Sequence, residues 1–186
     1  MAGEPVENGR TAAQFLRYIE AMFEVLVYVY ENYWRGDACP ELVRLERKLS
    51  AVGFEAGEIH EALTWLDGLH LAAQGTQWLR PQTPAQAPHH LASLQSPHSM
   101  RVYSVAEQDH LGAACLGFIS FLESAGVLPS PMREIVIDRA MAVQDDEVCL
   151  DDLKIIILMV YWSFGEEPDA LVLDELCDDP ADRVAH

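Results

Sequence analysis

Residues 150–164 read LDDLKIIILMVYWSF, and this stretch decides the fold class. Its β-branched residues would suit a strand, but its length through Phe164 and an aspartate available as a cap favour a helix. We predict that Asp151 is the N-cap and that Leu150 packs onto Ile155. A helix that is apolar all round has to be buried all round. The stretch therefore predicts a central, buried helix in the second half of the chain.

The segments before this stretch also have helical patterns. Ser104 and Glu107 form a capping box at the start of one predicted helix. Ser130 followed by Pro131 predicts a second helix start, with the hydroxyl as cap and proline in the first turn. Apolar residues recur at helical spacing behind both starts, and we expect these to face the core: Leu111, Cys115, Phe118, Leu122, Met132, Ile135, Val136, Ala140 and Val143.

The first half is predicted to contain three helices. Apolar residues at helical spacing fill residues 14–34, and residues 42–52 and 55–70 are amphipathic. The short link Gly53-Phe54 between the last two predicts neighbouring helices, as in a helix-turn-helix. The half is therefore either a three-helix unit or winged-helix-like, with residues 101–103 as one short strand.

A proline- and glutamine-rich segment separates the two halves. Its near absence of charge and of large aliphatic residues is typical of a linker. The predicted fold class is all-α, with at most one or two very short strands and two helical subdomains. The predicted layout is a disordered leader over 1–13, a helical subdomain over 14–72, a linker over 73–98, a helical subdomain over 99–177 and an acidic tail over 178–186.

The charge balance narrows the classes of partner. The chain has 30 acidic residues against 12 Lys and Arg, a net charge of −18. Such a field repels phosphate backbones and anionic membranes and favours basic proteins. The candidate recognition helix over 55–70 has no Lys or Arg and carries four acids, Glu55, Glu58, Glu61 and Asp67. We expect neither direct nucleic-acid binding nor membrane binding.

No pattern of catalytic or metal-binding residues stands out. The cysteines lack zinc or redox spacing, and there is no Gly-x-Ser-x-Gly turn or phosphate-binding glycine loop. His89, His90 and His98 lie in the linker without a neighbouring acid or cysteine, which argues against a metal site. We predict a cytoplasmic protein that is not an enzyme and has no metal, cofactor or signal peptide. The four cysteines are Cys39, Cys115, Cys149 and Cys177.

Several motifs in order resemble the Smg family of small bacterial proteins of uncharacterised function. The resemblance covers about residues 22–165, and Leu116 stands where the family often has arginine. It implies a bacterial cytoplasmic origin, but no substrate and no active site. The motifs are Met22–Trp34, Val52–Phe54, Ala62–Leu66, Ser99–Tyr103, Gly117–Glu123, Arg133–Arg139, Leu150–Lys154 and Leu158–Val160.

These patterns predict a non-enzymatic protein–protein interaction module. Its partner is a protein, of basic character if the acidic surface meets it. Two alternatives remain, a nucleic-acid-associated regulator using the first half and an acidic decoy for a basic protein. A monomer is favoured over a homodimer because acids flank the 150–164 helix and would crowd in a symmetric pair. The predicted contact residues are Gly53, Phe54, Trp65, Arg44, Arg47 and Lys48.

Overall fold

A computed structural model describes residues 12–33, 42–77, 101–144, 147–166 and 168. These ranges contain no strand, and the all-α prediction is confirmed. The segment 101–103, considered for a short strand, has no regular secondary structure and leads into a helix. The helices within the described ranges are α1 (Ala12–Tyr33), α2 (Leu42–Val52), α3 (Ala56–Gln77), α4 (Val105–Ser124), α5 (Ser130–Met141) and α6 (Leu150–Phe164).

The chain divides into two compact units, Met1–Leu63 and Thr64–His186. The division falls inside α3 because the second part of that helix packs on α5 through Trp65 and Gly68. Helix α3 also continues to Gln77, into the range predicted as linker. The rest of the linker, residues 1–11 and the acidic tail lie outside the described residues, so the subdomain boundaries stay predictions.

The first unit builds its core from α1, α2 and the beginning of α3. Leu45 and Leu49 are the buried residues of α2, one turn apart, which leaves most of that helix exposed. Burial on α1 is much more extensive and matches the apolar run seen in the sequence. The buried residues of α1 and of the first-unit part of α3 are Met22, Phe23, Val25, Leu26, Val29, Ile59 and Ala62.

Helix α6 forms the core of the second unit, packed by α4 and α5. The prediction of a buried helix over 150–164 is confirmed. At the edge of this core the Tyr161 hydroxyl donates a hydrogen bond to the Val127 carbonyl, which ties α6 to the α4–α5 loop. The buried residues of α6 are Leu153, Lys154, Ile156, Ile157, Leu158, Met159, Val160 and Tyr161.

One of the three predicted helix caps is right. Ser104 Oγ accepts a hydrogen bond from the Glu107 amide at 3.2 Å, and the Glu107 carboxylate accepts one from the Ser104 amide at 2.7 Å. Ser130 is wrong as a cap, since Pro129 already has the extended N-cap backbone and α5 begins at Ser130 itself. Asp151 is wrong because the extended residue before α6 is Cys149, whose sulfur accepts from the Asp152 amide at 3.4 Å.

Helix α4 is interrupted at Gly112, which the sequence pattern did not predict. Gly112 has φ +64°, a left-handed conformation that favours glycine. The break lets the His110 carbonyl accept a hydrogen bond from the Val148 amide at 2.8 Å. The Cys115 thiol in turn donates to the Val148 carbonyl at 3.3 Å. The kink therefore fastens the loop between α5 and α6 onto α4.

Ile157→Asp should prevent folding of the second unit. Ile157 is fully buried on α6, and an unpaired carboxylate there costs several kcal/mol, about as much as the stability of a small domain. Thermal melts followed by circular dichroism should show no cooperative transition for the second unit. Val102→Asp is the matched control, because Val102 is 89% exposed, and it should melt like the wild type. A wild-type melting curve for Ile157→Asp would contradict the burial of α6.

Candidate partner-binding surface

Helix α2 presents a basic side to solvent. Arg47 and Lys48 lie three and four residues after Arg44, so both neighbour Arg44 on the exposed surface of the helix, whereas Leu45 and Leu49 are buried. Exposed valines extend this side in both directions, with Val43 58% and Val52 53% exposed. We call this surface the basic face of α2, and it consists of Val43, Arg44, Arg47, Lys48 and Val52.

The two arginines of this face are not neutralised by any carboxylate among the described residues. The side chains of Arg44 and Arg47 form no ion pair or hydrogen bond within the part of the chain that the structure describes. The Lys48 ammonium lies 4.9 Å from the centroid of the Tyr33 ring, a cation–π contact. Arg44 and Lys48 are one turn apart and repel each other by a few tenths of a kcal/mol. Carboxylates on another molecule would relieve that repulsion.

The turn after α2 is held by its own backbone. The amides of Gly53 and Phe54 both donate to the Leu49 carbonyl, at 3.2 and 3.3 Å. Gly53 is exposed with φ +115°, a backbone that a larger residue would strain. The Phe54 ring packs edge-on against Tyr28 with centroids 5.6 Å apart. Phe54 is therefore half-buried and secures the turn.

Trp65 belongs to the core of the second unit. Its side chain is 5% exposed, and the indole N–H donates to the Arg139 carbonyl at 3.1 Å. One turn further on, Gly68 accommodates the Arg139 guanidinium, which would lie about 2.0 Å from an added Cβ. The sequence contains a sign of this packing, because Trp65 lies one turn before Leu69 and so belongs to the apolar stripe of α3. A contact role for Trp65 stays a prediction, and the basic face of α2 does not depend on it.

The second unit contains an ion network that sequence reasoning missed. Arg101 Nε lies 3.0 Å from both carboxylate oxygens of Glu134, and its Nη2 lies 2.8 Å from Glu107. Buried Arg133 pairs with the same Glu134 at 2.7 Å and also with Glu123. Both guanidinium groups are thus occupied by carboxylates. The network pins residues 101–104 to α4 and α5 and does not form an anion-binding site.

The network shifts the titration of its carboxylates. The hydrogen bond from the Arg101 side chain, helped by the Ser104 amide, lowers the pKa of Glu107 to about 2. Burial opposes ionisation of Glu134, but hydrogen bonds from Arg101 and Arg133 outweigh it and lower that pKa as well. Both carboxylates are therefore charged in the folded protein at neutral pH.

The two thiols in the described ranges are poor nucleophiles. Burial raises the pKa of Cys115 to about 11, and its Sγ is engaged with the Val148 carbonyl. Burial also raises the pKa of Cys149, whose thiol donates to Asp152 Oδ2 at 3.0 Å.

No group of His, Cys, Asp and Glu suited to a metal ion occurs among the described residues. The linker histidines His89, His90 and His98 lie outside the described ranges. No helix in the described ranges is long and apolar enough to cross a membrane.

Comparison with known proteins places the chain in a family. Residues 22–186 match the family described as "Protein of unknown function (DUF494)". The chain belongs to this family. The relatives named "Protein Smg homolog" include those of Leptothrix cholodnii, at 61% identity, and Methylibium petroleiphilum, at 58%. Each alignment covers 89% of this chain and 100% of the relative.

The resemblance to the Smg family is therefore confirmed. The Bordetella avium relative is 51% identical over 165 residues. No solved structure matches the chain. The DUF494 description and the names of these Smg relatives state no activity, substrate or partner.

Glu107→Gln should weaken the fold in a pH-dependent way. The pKa of Glu107 is about 2 in the folded state, below the ~4.3 of an unfolded glutamate. The stability it adds is present above pH ~4.3 and is lost as the pH falls through about 2. The urea midpoint of the variant should therefore lie furthest below that of the wild type at pH 7. The gap between the two midpoints should shrink from pH ~5 downwards.

The control for this measurement is Asp109→Asn, which removes an exposed carboxylate from the same end of α4. Asp109 has no ion pair in the described residues, and its loss should leave the urea midpoint close to the wild-type value at each pH. A difference for Glu107→Gln that stays constant from pH 7 to pH 2 would show that the Arg101–Glu107 pair does not stabilise the fold.

Proposed function

We propose that this Smg-family protein is a non-enzymatic protein-binding module of the bacterial cytoplasm, and that the basic face of α2 contacts its partner. The supporting observation is the state of Arg44 and Arg47. Both are exposed and without an ion pair in the described residues, although the chain has 30 acidic residues. Such a surface is suited to carboxylates supplied by another molecule.

The composition of the face indicates what kind of contact it makes. Arginine guanidinium groups bind carboxylates through two parallel hydrogen bonds, and arginine is frequent among residues that dominate binding energy. Val43 and Val52 add apolar area at the two ends of the cations. The matching surface on a partner is an acidic segment with apolar side chains beside the acids.

The net charge acts at longer range than these contacts. At −18, the chain is drawn towards proteins of basic overall charge and kept away from polyanions. We therefore expect a partner that is basic overall and presents a local acidic segment to α2. The basic overall charge speeds the encounter, and the acidic segment sets the orientation of binding.

A nucleic-acid-associated regulator is the second candidate, because Arg44, Arg47 and Lys48 would also suit phosphates. Two observations weaken it. Glu55 immediately precedes α3, and Glu58 and Glu61 lie in its first turns, so three acids follow the Gly53 turn and would face the same phosphates. The segment 101–103, predicted as the strand of a wing, has no regular secondary structure.

Capture from a bacterial lysate tests the proposal with the full chain as bait and nuclease added. Arg44→Gln combined with Arg47→Gln should reduce recovery of the partner protein at least about tenfold, as expected for contacts that dominate binding. The control combines Leu71→Glu with Gly75→Glu, which gives the same net charge at exposed positions of α3. This control should recover the partner as the wild type does.

Two results would contradict the proposal. One is equal recovery of every captured protein by the wild type and the Arg44→Gln/Arg47→Gln variant. The other is recovery that disappears with nuclease, together with binding of random duplex DNA at ~150 mM salt by micromolar protein. If that DNA binding is lost in the double variant, the second candidate holds and the basic face of α2 is its footprint.

A further inference from the structure

The chain from Arg101 to Leu111 is joined to the rest of α4 through a break in the helix. Gly112 has φ +64° and ψ 173°, which are not helical values and interrupt the regular helix. The backbone of glycine rotates more freely than that of any other residue. We call residues 101–111 the α4 flap, and Gly112 is the pivot that connects this flap to the later turns of α4.

The α4 flap is held together by contacts among its own residues. Arg101 Nη2 lies 2.8 Å from the Glu107 carboxylate, and the guanidinium lies 4.7 Å from the centroid of the Tyr103 ring. The Gln108 amide donates to the Tyr103 carbonyl at 2.8 Å, and the capping box of Ser104 and Glu107 adds two hydrogen bonds. None of these contacts involves α5 or α6. They can therefore persist if the flap moves as one body.

The flap is attached to the rest of the second unit mainly by polar contacts. Arg101 Nε lies 3.0 Å from both carboxylate oxygens of Glu134 on α5, a side chain that is 49% exposed. His110 Nε2 donates to the Ala140 carbonyl at 3.1 Å, and the His110 carbonyl accepts from the Val148 amide. Partly exposed ion pairs add little stability, and water can replace hydrogen bonds that open to solvent. These contacts are therefore easier to break than apolar packing.

The flap contributes little apolar packing to the core. Leu111, next to the pivot, is the only buried residue in 101–111. Val102 in the same segment is 89% exposed. Beyond Gly112 the helix is anchored more firmly, since Ile119 and Leu122 are at most 1% exposed. Segments with few buried apolar contacts open locally while the remaining core stays folded.

We propose that the α4 flap swings away from α5 about Gly112 while α5, α6 and the later turns of α4 stay folded. The movement breaks the contacts with Glu134, Ala140 and Val148 and takes Leu111 out of its buried site. The open form exposes the site that Leu111 leaves and frees the Val148 amide. It thus offers a surface that the closed form hides, and a molecule that binds this surface would shift the population towards the open form.

Thiol labelling of the full chain with an aromatic disulfide reagent tests the opening. Leu111→Cys reports on the flap, and Ile119→Cys is the matched reporter beyond the pivot, since both positions are buried. Labelling tracks the population of the open form when reclosing is fast. Leu111→Cys should label at least about tenfold faster than global unfolding of that variant, measured in urea, allows. Ile119→Cys should label at its global unfolding limit. The native thiols are first removed by Cys39→Ser, Cys115→Ala, Cys149→Ser and Cys177→Ser.

Two glutamine variants, each combined with Leu111→Cys, test the attachment to α5. Glu134 and Glu123 both pair with Arg133, but Glu134 also binds Arg101 of the flap. Glu134→Gln should raise labelling at position 111 at least about threefold relative to global unfolding. Glu123→Gln should leave that ratio unchanged.

Three results would overturn the proposal. The first is labelling of Leu111→Cys at the global unfolding limit. The second is local opening at Ile119→Cys equal to that at Leu111→Cys, which would mean that the pivot is not at Gly112. The third is an equal effect of Glu134→Gln and Glu123→Gln on labelling at position 111, because the contact between Arg101 and Glu134 would then not hold the flap closed.

Discussion

Burial of α6 is the constraint on which the second unit depends. The helix carries apolar residues on nearly all sides, from Leu153 to Tyr161, so no single neighbour can cover it. Helices α4 and α5 pack against it, and α4 changes direction at Gly112. The kink also supplies the His110 carbonyl that receives the Val148 amide just before α6 begins. The turn of the chain at Gly112 therefore positions both the part of α4 that packs on α6 and the loop that leads into α6.

Apart from Lys154, which is buried on α6 itself, the charged groups described next lie on the elements around α6. Arg133 is buried, and a buried guanidinium is tolerated only when it is fully paired, as it is here by Glu123 and Glu134. Arg101 extends the pairing to Glu107 at the start of α4. The exposed residues of α4 beyond Gly112 are themselves uncharged. The first unit shows the reverse, since the cations of α2 stay unpaired within the described residues.

Much of the fold follows from local patterns in the sequence. Helical spacing located all the described helices, and the pair Ser104 and Glu107 identified the start of α4 because a capping box involves residues only three apart. The failures involve contacts between distant residues. Cys149 caps α6 next to Val148, whose amide is bound by the His110 carbonyl of α4, and Arg101 pairs with Glu134 across 33 residues. The hydrogen bond from the Trp65 indole to the Arg139 carbonyl of α5 likewise joins distant residues and was not predicted. The cluster on α2 was predictable as a set of residues, but its lack of ion pairs with other described residues was not.

Native-state hydrogen exchange tests most directly whether α6 is the centre of the second unit. Amides from Ile156 to Val160 should exchange only through global unfolding, so their opening free energies should agree with each other and with the value from urea denaturation. Amides of α4 before Gly112 should open at lower free energy, since the kink separates them from the rest of the helix. Faster, locally opening exchange within α6 than in α4 and α5 would contradict the account.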